Sequence, residues 1–168
     1  PEVLIVDAPR FTDERGFFME CHREQWSSEL GLNHRFVQDN CSYSKRNVLR
    51  GLHYQIDFPQ AKLVMVLSGR VLDVVVDLRR GSPTFGRHVS VVLSAETSRL
   101  LYVPTGFAHG FVVLSDGALV HYKCSASYSP SGGRGLLWSD PALAIDWGVP
   151  NPLINARDRQ APCLSAIP

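Results

Sequence analysis

Short runs of β-branched, aromatic and other apolar residues alternate with turn residues along most of the chain. Runs of this kind, bounded by Gly, Pro, Asn, Asp and Ser, predict strands. The separators include Gly81-Ser82-Pro83 and Ser115-Asp116-Gly117, which are typical turn sequences. We therefore predict strands at residues 3–6, 16–21, 36–42, 48–54, 62–66, 71–78, 88–93, 99–103, 110–114 and 119–124. Many short strands at this spacing predict an all-β sandwich or barrel.

Helical patterns are confined to two short segments. Residues 24–30 are followed by Gly31, a common C-terminal stop, and residues 141–145 follow Asp140, a suitable N-terminal cap. The last segment, residues 149–168, has four prolines and little periodicity. We expect it to wrap the surface as an irregular tail.

Residues 71–78 are apolar almost throughout, so the strict alternation of a half-exposed strand is lost there. Such a pattern indicates that both faces of the strand are covered. The outer cover can be a partner subunit, additional strands or the wall of a tightly closed jelly roll. Among these alternatives we favour a homodimer.

The composition is that of one folded domain, which we assign to residues 1–168. The chain is 45% hydrophobic and 20% charged, and 17 basic against 16 acidic side chains give a net charge of +1. This balance gives no general attraction to nucleic acid or to an anionic membrane. No apolar run approaches the roughly 20 residues of a membrane-spanning helix. The sequence opens without a secretory-signal pattern, so we expect a cytoplasmic protein.

Candidate chemistry is concentrated on a few neighbouring strands. Arg50 and His53 lie three residues apart around Gly51, and Lys62 begins the next strand. His109 lies just after a turn and before a strand, and Tyr122 lies near the end of a later strand. Strict alternation would put Arg50 and His53 on opposite faces, so we expect a bulge at Gly51 if both reach one cavity. Each residue alone has an ordinary structural explanation. Together they favour a ligand cavity inside the barrel.

Several collinear motifs resemble the dTDP-4-dehydrorhamnose 3,5-epimerase family. They are SYSKRNVLRGLHYQ at residues 42–55, QAKLV at 60–64, VLDVVVDLR at 71–79, GSPTFG at 81–86 and GFAHGF at 106–111. The resemblance implies an all-β, cupin-like jelly roll (double-stranded β-helix) with a few short helices. It also implies a homodimer, no cofactor and a dTDP-linked 4-keto-6-deoxy sugar as substrate.

The reaction that the resemblance implies is inversion of C3 and C5 of that sugar. Protons beside the 4-keto group are removed, and others are returned from the opposite face. By motif, His53 corresponds to the general base and Asp158 to the carboxylate that orients it. Lys62 corresponds to the cation that offsets enolate charge at the 4-oxygen, and Tyr122 to the acid.

The same resemblance implies a substrate-binding set. Arg15 and Glu20 correspond to nucleotide contacts, which the family can draw from a neighbouring subunit. Gln38, Asp39 and Asn40 correspond to residues that line the substrate site.

Four further residues complete that set. Arg50 resembles a diphosphate clamp, His109 a contact beside the keto sugar, and Tyr128 an aromatic that stacks on thymine. Arg157 stands where the family commonly has Lys. Where the family has a Glu that contacts the nucleotide, this chain reads Ser131-Gly132-Gly133-Arg134, which leaves the nucleotide specificity open.

Three alternatives remain beside the double epimerase. A mono-epimerase acting at C3 or C5 alone would use the same catalytic residues, and a non-catalytic sugar-nucleotide-binding cupin would share the fold. A metal-dependent cupin is disfavoured because His53 is followed by Tyr54 and Gln55 rather than by a second His. The four cysteines lack C-x-x-C spacing, so we expect no metal site and reduced thiols.

Overall fold

The alternating runs form two five-stranded antiparallel sheets that pack face to face as a jelly roll, which confirms the all-β prediction. The computed structural model describes residues 2–32 and 34–167. Its strands are β1 (Leu4–Asp7), β2 (Arg10–Asp13), β3 (Gly16–Met19), β4 (Gln38–Lys45), β5 (Leu49–Gln55), β6 (Lys62–Ser68), β7 (Arg70–Asp77), β8 (His88–Ser94), β9 (Arg99–Val103), β10 (Phe107–Val113), β11 (Gly117–Cys124) and β12 (Gly133–Gly135).

The two sheets interleave strands that are distant in sequence. The first sheet has the order β1-β9-β6-β11-β4, and the second has the order β12-β5-β10-β7-β8. Strands β2 and β3 form a separate hairpin. The core between the sheets is built from inward-facing residues such as Val64 and Val120 of the first sheet and Val75 and Phe111 of the second.

The helices are short, as predicted, but their positions differ from the prediction. Helix α1 (Trp26–Glu29) occupies only the middle of the predicted segment 24–30. Residues 141–143 form a turn rather than a helix, and Asp140 holds it by accepting the backbone N–H of Ala142 at 2.9 Å. Helix α2 (Ala156–Arg159) and a 3-10 turn at Leu164–Ala166 lie within the predicted irregular tail. None of the helices in the described ranges is long and apolar enough to cross a membrane.

The outer face of the second sheet is covered by the C-terminal part of the same chain. Val74 and Val76 of β7 pack with Leu136, Trp147 and Ile154. The loss of alternation in residues 71–78 therefore did predict a strand with two covered faces. The cover, however, comes from residues 136–167 and not from a partner subunit, so this pattern carries no argument for a dimer. Pro168, the last residue of the predicted tail, lies outside the described residues.

The outer face of the first sheet is covered in a similar way by the segment around α1. Trp26 and Leu32 are buried against Leu63, Met65 and Tyr102. The jelly roll therefore has three apolar layers: one between the sheets and one on each outer face. This cover does not extend to β4, where Cys41 and Tyr43 are exposed on the outer face. The ends of the sandwich are the other places where polar groups can meet a ligand.

The C-terminal cover predicts a test of stability. Leu136 is fully buried in it, whereas Leu153 of the same segment is 62% exposed. We expect Leu136→Ala to lower the free energy of unfolding by about 2–5 kcal/mol, because truncation leaves a cavity. Leu153→Ala is the matched control and should change it by less than about 0.5 kcal/mol. Urea unfolding measures both, and equal losses would mean that the segment does not form a packed layer.

Candidate active site

A cavity of about 410 Å³ opens between the two sheets and is lined by both of them. Its walls combine residues of β4, β6, β9 and β11 on one side with residues of β5, β10 and β12 on the other, and loops and α2 complete the mouth. The lining residues are Gln38, Asn40, His53, Tyr54, Gln55, Gln60, Lys62, Val103, Phe107, Tyr122, Tyr128, Gly133, Arg134 and Arg157.

His53 and Asp158 form a hydrogen-bonded pair in the wall made by the second sheet. Nε2 of His53 lies 2.7 Å from Oδ1 of Asp158. The His53 side chain is 41% exposed, while that of Asp158 is 1% exposed behind it. With its Nε2–H donating to the carboxylate, a neutral His53 ring keeps its lone pair on Nδ1. Nδ1 is therefore available as a base.

The buried Asp158 carboxylate is held by several donors. Oδ2 accepts the backbone N–H of Gly51 at 3.1 Å and the Asn155 side-chain amide at 3.2 Å. Asn155 also caps α2, because its Oδ1 accepts the backbone N–H of Asp158 at 2.7 Å. Burial alone would raise the pKa of Asp158, but the hydrogen bonds from His53 and Gly51 and the Arg157 charge lower it. Asp158 thus stays ionised beside the imidazole.

The expected irregularity at Gly51 is present. Strands β5 and β10 pair His53 with His109 and Arg50 with Phe111, so β5 carries one more residue than β10 between these pairs. The backbones approach so closely that a Cβ on Gly51 would lie 2.7 Å from the Cα of Gly110. Only glycine fits there. Arg50 is not among the residues that line the cavity: its Nε donates to the Ser44 hydroxyl at 2.8 Å, although its charge still acts on the phenol of Tyr122, which does line it.

Lys62 and Tyr122 form the opposite wall, on neighbouring strands of the first sheet. The Lys62 ammonium lies 6.0 Å from the centre of the Tyr122 ring. Burial lowers the pKa of Lys62, and the neighbouring Cys124 and Asp73 oppose that shift. Burial likewise raises the pKa of the Tyr122 phenol. Tyr122 therefore keeps its proton at neutral pH and can act as a donor.

A second histidine–carboxylate pair lies beside His53 in the second sheet. Nε2 of His109 is 2.9 Å from both carboxylate oxygens of Asp73, and both side chains are buried. Because His109 and His53 are register partners on adjacent strands, the buried pair packs next to the candidate base. Each of the two imidazoles considered as metal ligands in the sequence is thus hydrogen-bonded to a carboxylate.

The mouth of the cavity is cationic. Among the described residues that line the cavity, Lys62, Arg134 and Arg157 carry positive charge and none is an Asp or Glu. Arg157 donates to the carbonyl of Gly133 at 3.3 Å, and Arg134 to that of Ser131 at 2.7 Å. Such a surface attracts an anion, and guanidinium groups suit a diphosphate.

The structure brings together most, but not all, of the residues selected from the sequence. His53, Lys62, Tyr122, Gln38, Asn40, Tyr128 and Arg157 line the cavity, while Asp158 lies behind His53 and His109 lies beside it.

Four selected residues lie away from the cavity within this chain. Besides Arg50, Asp39 points to the outer face of β4, where its carboxylate accepts from Lys123 at 2.6 Å. Arg15 pairs with Asp13 at the tip of the β2–β3 hairpin, and Glu20 lies 3.8 Å from Arg23 just after that hairpin.

Sequence reasoning did not select several groups that shape the site. Asn155 and Asp73 act behind the imidazoles, and Gln55, Gln60 and Arg134 line the cavity. Asn155 had a readable signal, because an Asn three residues before Asp158 is a typical N-cap. Asp73 also had one, as a lone carboxylate within an apolar strand is usually paired.

The lowered pKa of Asp158 predicts a defined acid sensitivity. Its folded pKa lies below the unfolded value of about 3.9, so its stabilisation is present above about pH 4 and is lost as the pH falls through the folded pKa. We expect Asp158→Asn to be less stable than the wild type at neutral pH, and this difference to shrink in acid. Urea unfolding across pH measures it. Asp116→Asn, which removes the charge of a 97% exposed side chain, is the control. A stability difference between Asp158→Asn and the wild type that is constant with pH would contradict the prediction.

The chain matches known proteins in both sequence and fold. A family model described as dTDP-4-dehydrorhamnose 3,5-epimerase matches residues 1–166. A Shigella flexneri protein named dTDP-4-dehydrorhamnose 3,5-epimerase is 52% identical over 160 residues, which cover 94% of this chain and 88% of that protein.

Solved structures give the same picture. The dTDP-6-deoxy-D-glucose-3,5-epimerase RmlC of Legionella pneumophila, in complex with dTDP-4-keto-L-rhamnose, superposes with a TM-score of 0.96 at 46% identity, covering 99% of this chain and 89% of that one. ChmJ of Streptomyces bikiniensis, a 3'-monoepimerase in complex with dTDP-quinovose, gives 0.90 at 36% identity, covering 97% and 84%. The resemblance seen in the motifs is therefore confirmed, and this chain belongs to the dTDP-4-dehydrorhamnose 3,5-epimerase family of isomerases.

Proposed function

We propose that this chain inverts C3 and C5 of a dTDP-linked 4-keto-6-deoxyhexose by proton transfer across its cavity. The observation that carries the proposal is the placement of His53 on the second sheet and Tyr122 on the first, with both lining one cavity. Inversion at a carbon requires a proton to leave from one face and another to arrive at the opposite face. A base and an acid on opposite walls meet that requirement.

Proton abstraction is assigned to Nδ1 of His53. It takes the hydrogen from the carbon beside the ketone, and the electron pair of that C–H bond moves to give an enolate at the 4-oxygen. The Asp158 carboxylate, 2.7 Å from Nε2, fixes the tautomer and stabilises the imidazolium that forms. His53 later releases its proton to solvent, which its half-exposed ring can reach.

Stabilisation of the enolate is assigned to Lys62. The charge develops on the 4-oxygen only as the proton leaves, so a cation fixed at that point favours the transition state over the ground state. The largely desolvated position of Lys62, which lowers its pKa, also strengthens its field on a neighbouring oxygen.

Tyr122 is assigned the return of a proton. Its phenol, kept protonated by burial, donates to the face of the carbon opposite His53, and the ketone forms again. The phenolate is then reprotonated from water. The same set of groups serves C3 and C5, because both carbons flank the 4-keto group and the sugar ring can present either one.

The substrate is held at its nucleotide end by the cationic mouth. Arg134 and Arg157 would bind the diphosphate, and the Tyr128 ring would stack on the base.

An enzyme that acts at C3 or C5 alone is the second candidate, since it needs the same acid and base. Incubation with dTDP-4-keto-6-deoxyglucose in deuterated water, with label located by NMR, separates them. Label at both carbons supports double inversion, and label at neither would contradict any epimerase.

Removal of the acid should uncouple exchange from inversion. In Tyr122→Phe, His53 can still remove a proton and return a deuteron to the same face, so we expect exchange with retention and epimerisation slowed about 10²–10⁴-fold. His53→Ala should lose both exchange and inversion while still binding dTDP. Tyr54→Phe, which alters another cavity tyrosine, is the control and should keep inversion. Unchanged inversion in Tyr122→Phe would refute the assigned acid.

We also propose that the protein is a homodimer formed through the β2–β3 hairpin. Phe11, Phe17 and Phe18 on this hairpin are 62%, 53% and 66% exposed. An aromatic patch of this kind is typical of an interaction surface. Arg15 and Glu20, on and next to the hairpin, lie away from their own cavity, so in a dimer they could reach the cavity of the partner.

A cytoplasmic location is supported by the four cysteines, all free thiols.

The dimer proposal is tested by placing a charge on the hairpin. Phe18→Asp should shift the mass measured by sedimentation equilibrium from a dimer to a monomer, because a carboxylate would be buried without a partner. Phe58→Asp, at a 74% exposed aromatic elsewhere on the surface, is the control and should remain dimeric. A monomeric wild type, or a dimeric Phe18→Asp protein, would refute this interface.

A further inference from the structure

The segment that carries Tyr128 is held by an unusual set of side chains. Residues 126–129 lie in the connection between β11 and β12. Each of the four has a main-chain group that is hydrogen-bonded to a glutamine side chain. The carbonyl of Ala126 accepts from Gln60 at 2.8 Å and that of Ser127 from Gln55 at 3.2 Å. The N–H of Tyr128 donates to Gln38, and that of Ser129 to Gln55, both at 2.9 Å.

The three glutamines come from different parts of the fold. Gln38 begins β4 in the first sheet, Gln55 ends β5 in the second, and Gln60 lies in the loop that follows β5. The segment is therefore tied to both walls of the cavity at once. All three glutamines also line the cavity, so their positions and that of the segment are set together.

Gln55 uses both ends of its amide. Its Oε1 accepts the Ser129 N–H, and its Nε2 donates to the carbonyls of Ser127 and Phe58, the latter at 2.6 Å. This pattern needs an acceptor and two hydrogens on one planar group, which only an amide side chain supplies. A carboxylate at this position would keep the acceptor and lose both donors.

Tyr128 depends on this support because the residue is largely exposed. The residue is 54% exposed at the cavity mouth, and its neighbour Gly133 has no side chain to pack against it. The position of a half-exposed ring is then determined mainly by the backbone that carries it. Holding that backbone before the ligand arrives reduces the ordering that binding must otherwise bring about.

We infer that Gln55, assisted by Gln38 and Gln60, is a positioning residue that fixes the Tyr128 ring for a nucleobase. The inference rests on the proposed function only in taking a nucleoside diphosphate sugar as the ligand. Although His53 lies two residues before Gln55 on β5, the Gln55 amide bonds to Phe58, Ser127 and Ser129, so we expect its loss to weaken substrate binding and to leave the chemical step intact. Gln55 acts through Tyr128 and not as a catalytic group.

The first test needs no ligand. Hydrogen–deuterium exchange, resolved to the peptide that covers residues 125–133, compares the wild type with Gln55→Ala and Gln55→Glu. Loss of the Ser129 acceptor in Gln55→Ala should speed exchange in this peptide about tenfold, as local opening becomes easier. Gln55→Glu keeps that acceptor and should show a smaller increase. Gln25→Ala, at an exposed glutamine that makes no capping hydrogen bond, is the control. Unchanged exchange in Gln55→Ala would overturn the inference.

The second test is a double-mutant cycle on binding. Calorimetry with dTDP should show about tenfold weaker binding for Gln55→Ala, with KM for the sugar nucleotide raised similarly and kcat within about twofold. In a Tyr128→Ala background the same substitution should cost less than about twofold, because the ring through which it acts is gone.

Each other outcome has a distinct meaning. Equal losses in both backgrounds would show that Gln55 contacts the ligand directly, and a fall in kcat at unchanged KM would place it in the chemical step; either result overturns the positioning role. If the wild type binds no dTDP, the proposed function fails and the binding role of Gln55 fails with it. The exchange experiment still decides whether Gln55 holds the segment.

Discussion

Both the fold and the site depend on the hydrogen bonds that the buried Asp158 carboxylate makes with Gly51 and His53. The carboxylate joins the C-terminal segment to β5 through the Gly51 N–H, and it holds the His53 ring toward the cavity. An ionised carboxylate with so little exposure is tolerated only because several donors surround it. The apolar layer over the second sheet and the orientation of the imidazole are therefore fixed by the same group. The covering segment therefore contributes to the candidate site as well as to the core.

A second constraint is the division of polar groups between the two sheets. On the imidazole side of the cavity, β5 and β10 approach backbone to backbone, and the buried Asp73–His109 pair lies beside His53 on the same face of the sheet. On the side with Lys62 and Tyr122, burial raises the pKa of the Tyr122 phenol, which therefore keeps its proton, and lowers the pKa of the Lys62 ammonium, a shift that Cys124 and Asp73 oppose. The two walls thus differ in physical character.

Much of the fold followed from local patterns. Alternation identified most strands, because each buries one side in a core. Strand β2 was missed because its sequence, Arg10-Phe11-Thr12-Asp13, has a single apolar residue, and β12 because its sequence, Gly133-Arg134-Gly135, has no strand preference of its own. Each forms by pairing with a neighbouring strand. The continuous apolar run of β7 indicated two covered faces. It could not reveal which part of the molecule provides the cover, because the apolar pattern of a strand is the same whichever residues pack on it.

Prediction of the site was limited by the same alternation that predicted the strands. Gln38 and Asn40 line the cavity while Asp39 between them points outward, as a period of two requires.

Glycines divide the site into a part that resists substitution and a part that accepts it. A side chain at Gly51 or Gly110 would collide with backbone at 2.7 Å, whereas a Cβ at Gly133 would meet Arg157 and Tyr128 at 3.5 Å, an ordinary contact. A substitution at Gly133 can therefore change the mouth of the cavity without disturbing the residues around His53. Substrate range and reaction chemistry can diverge independently in this scaffold.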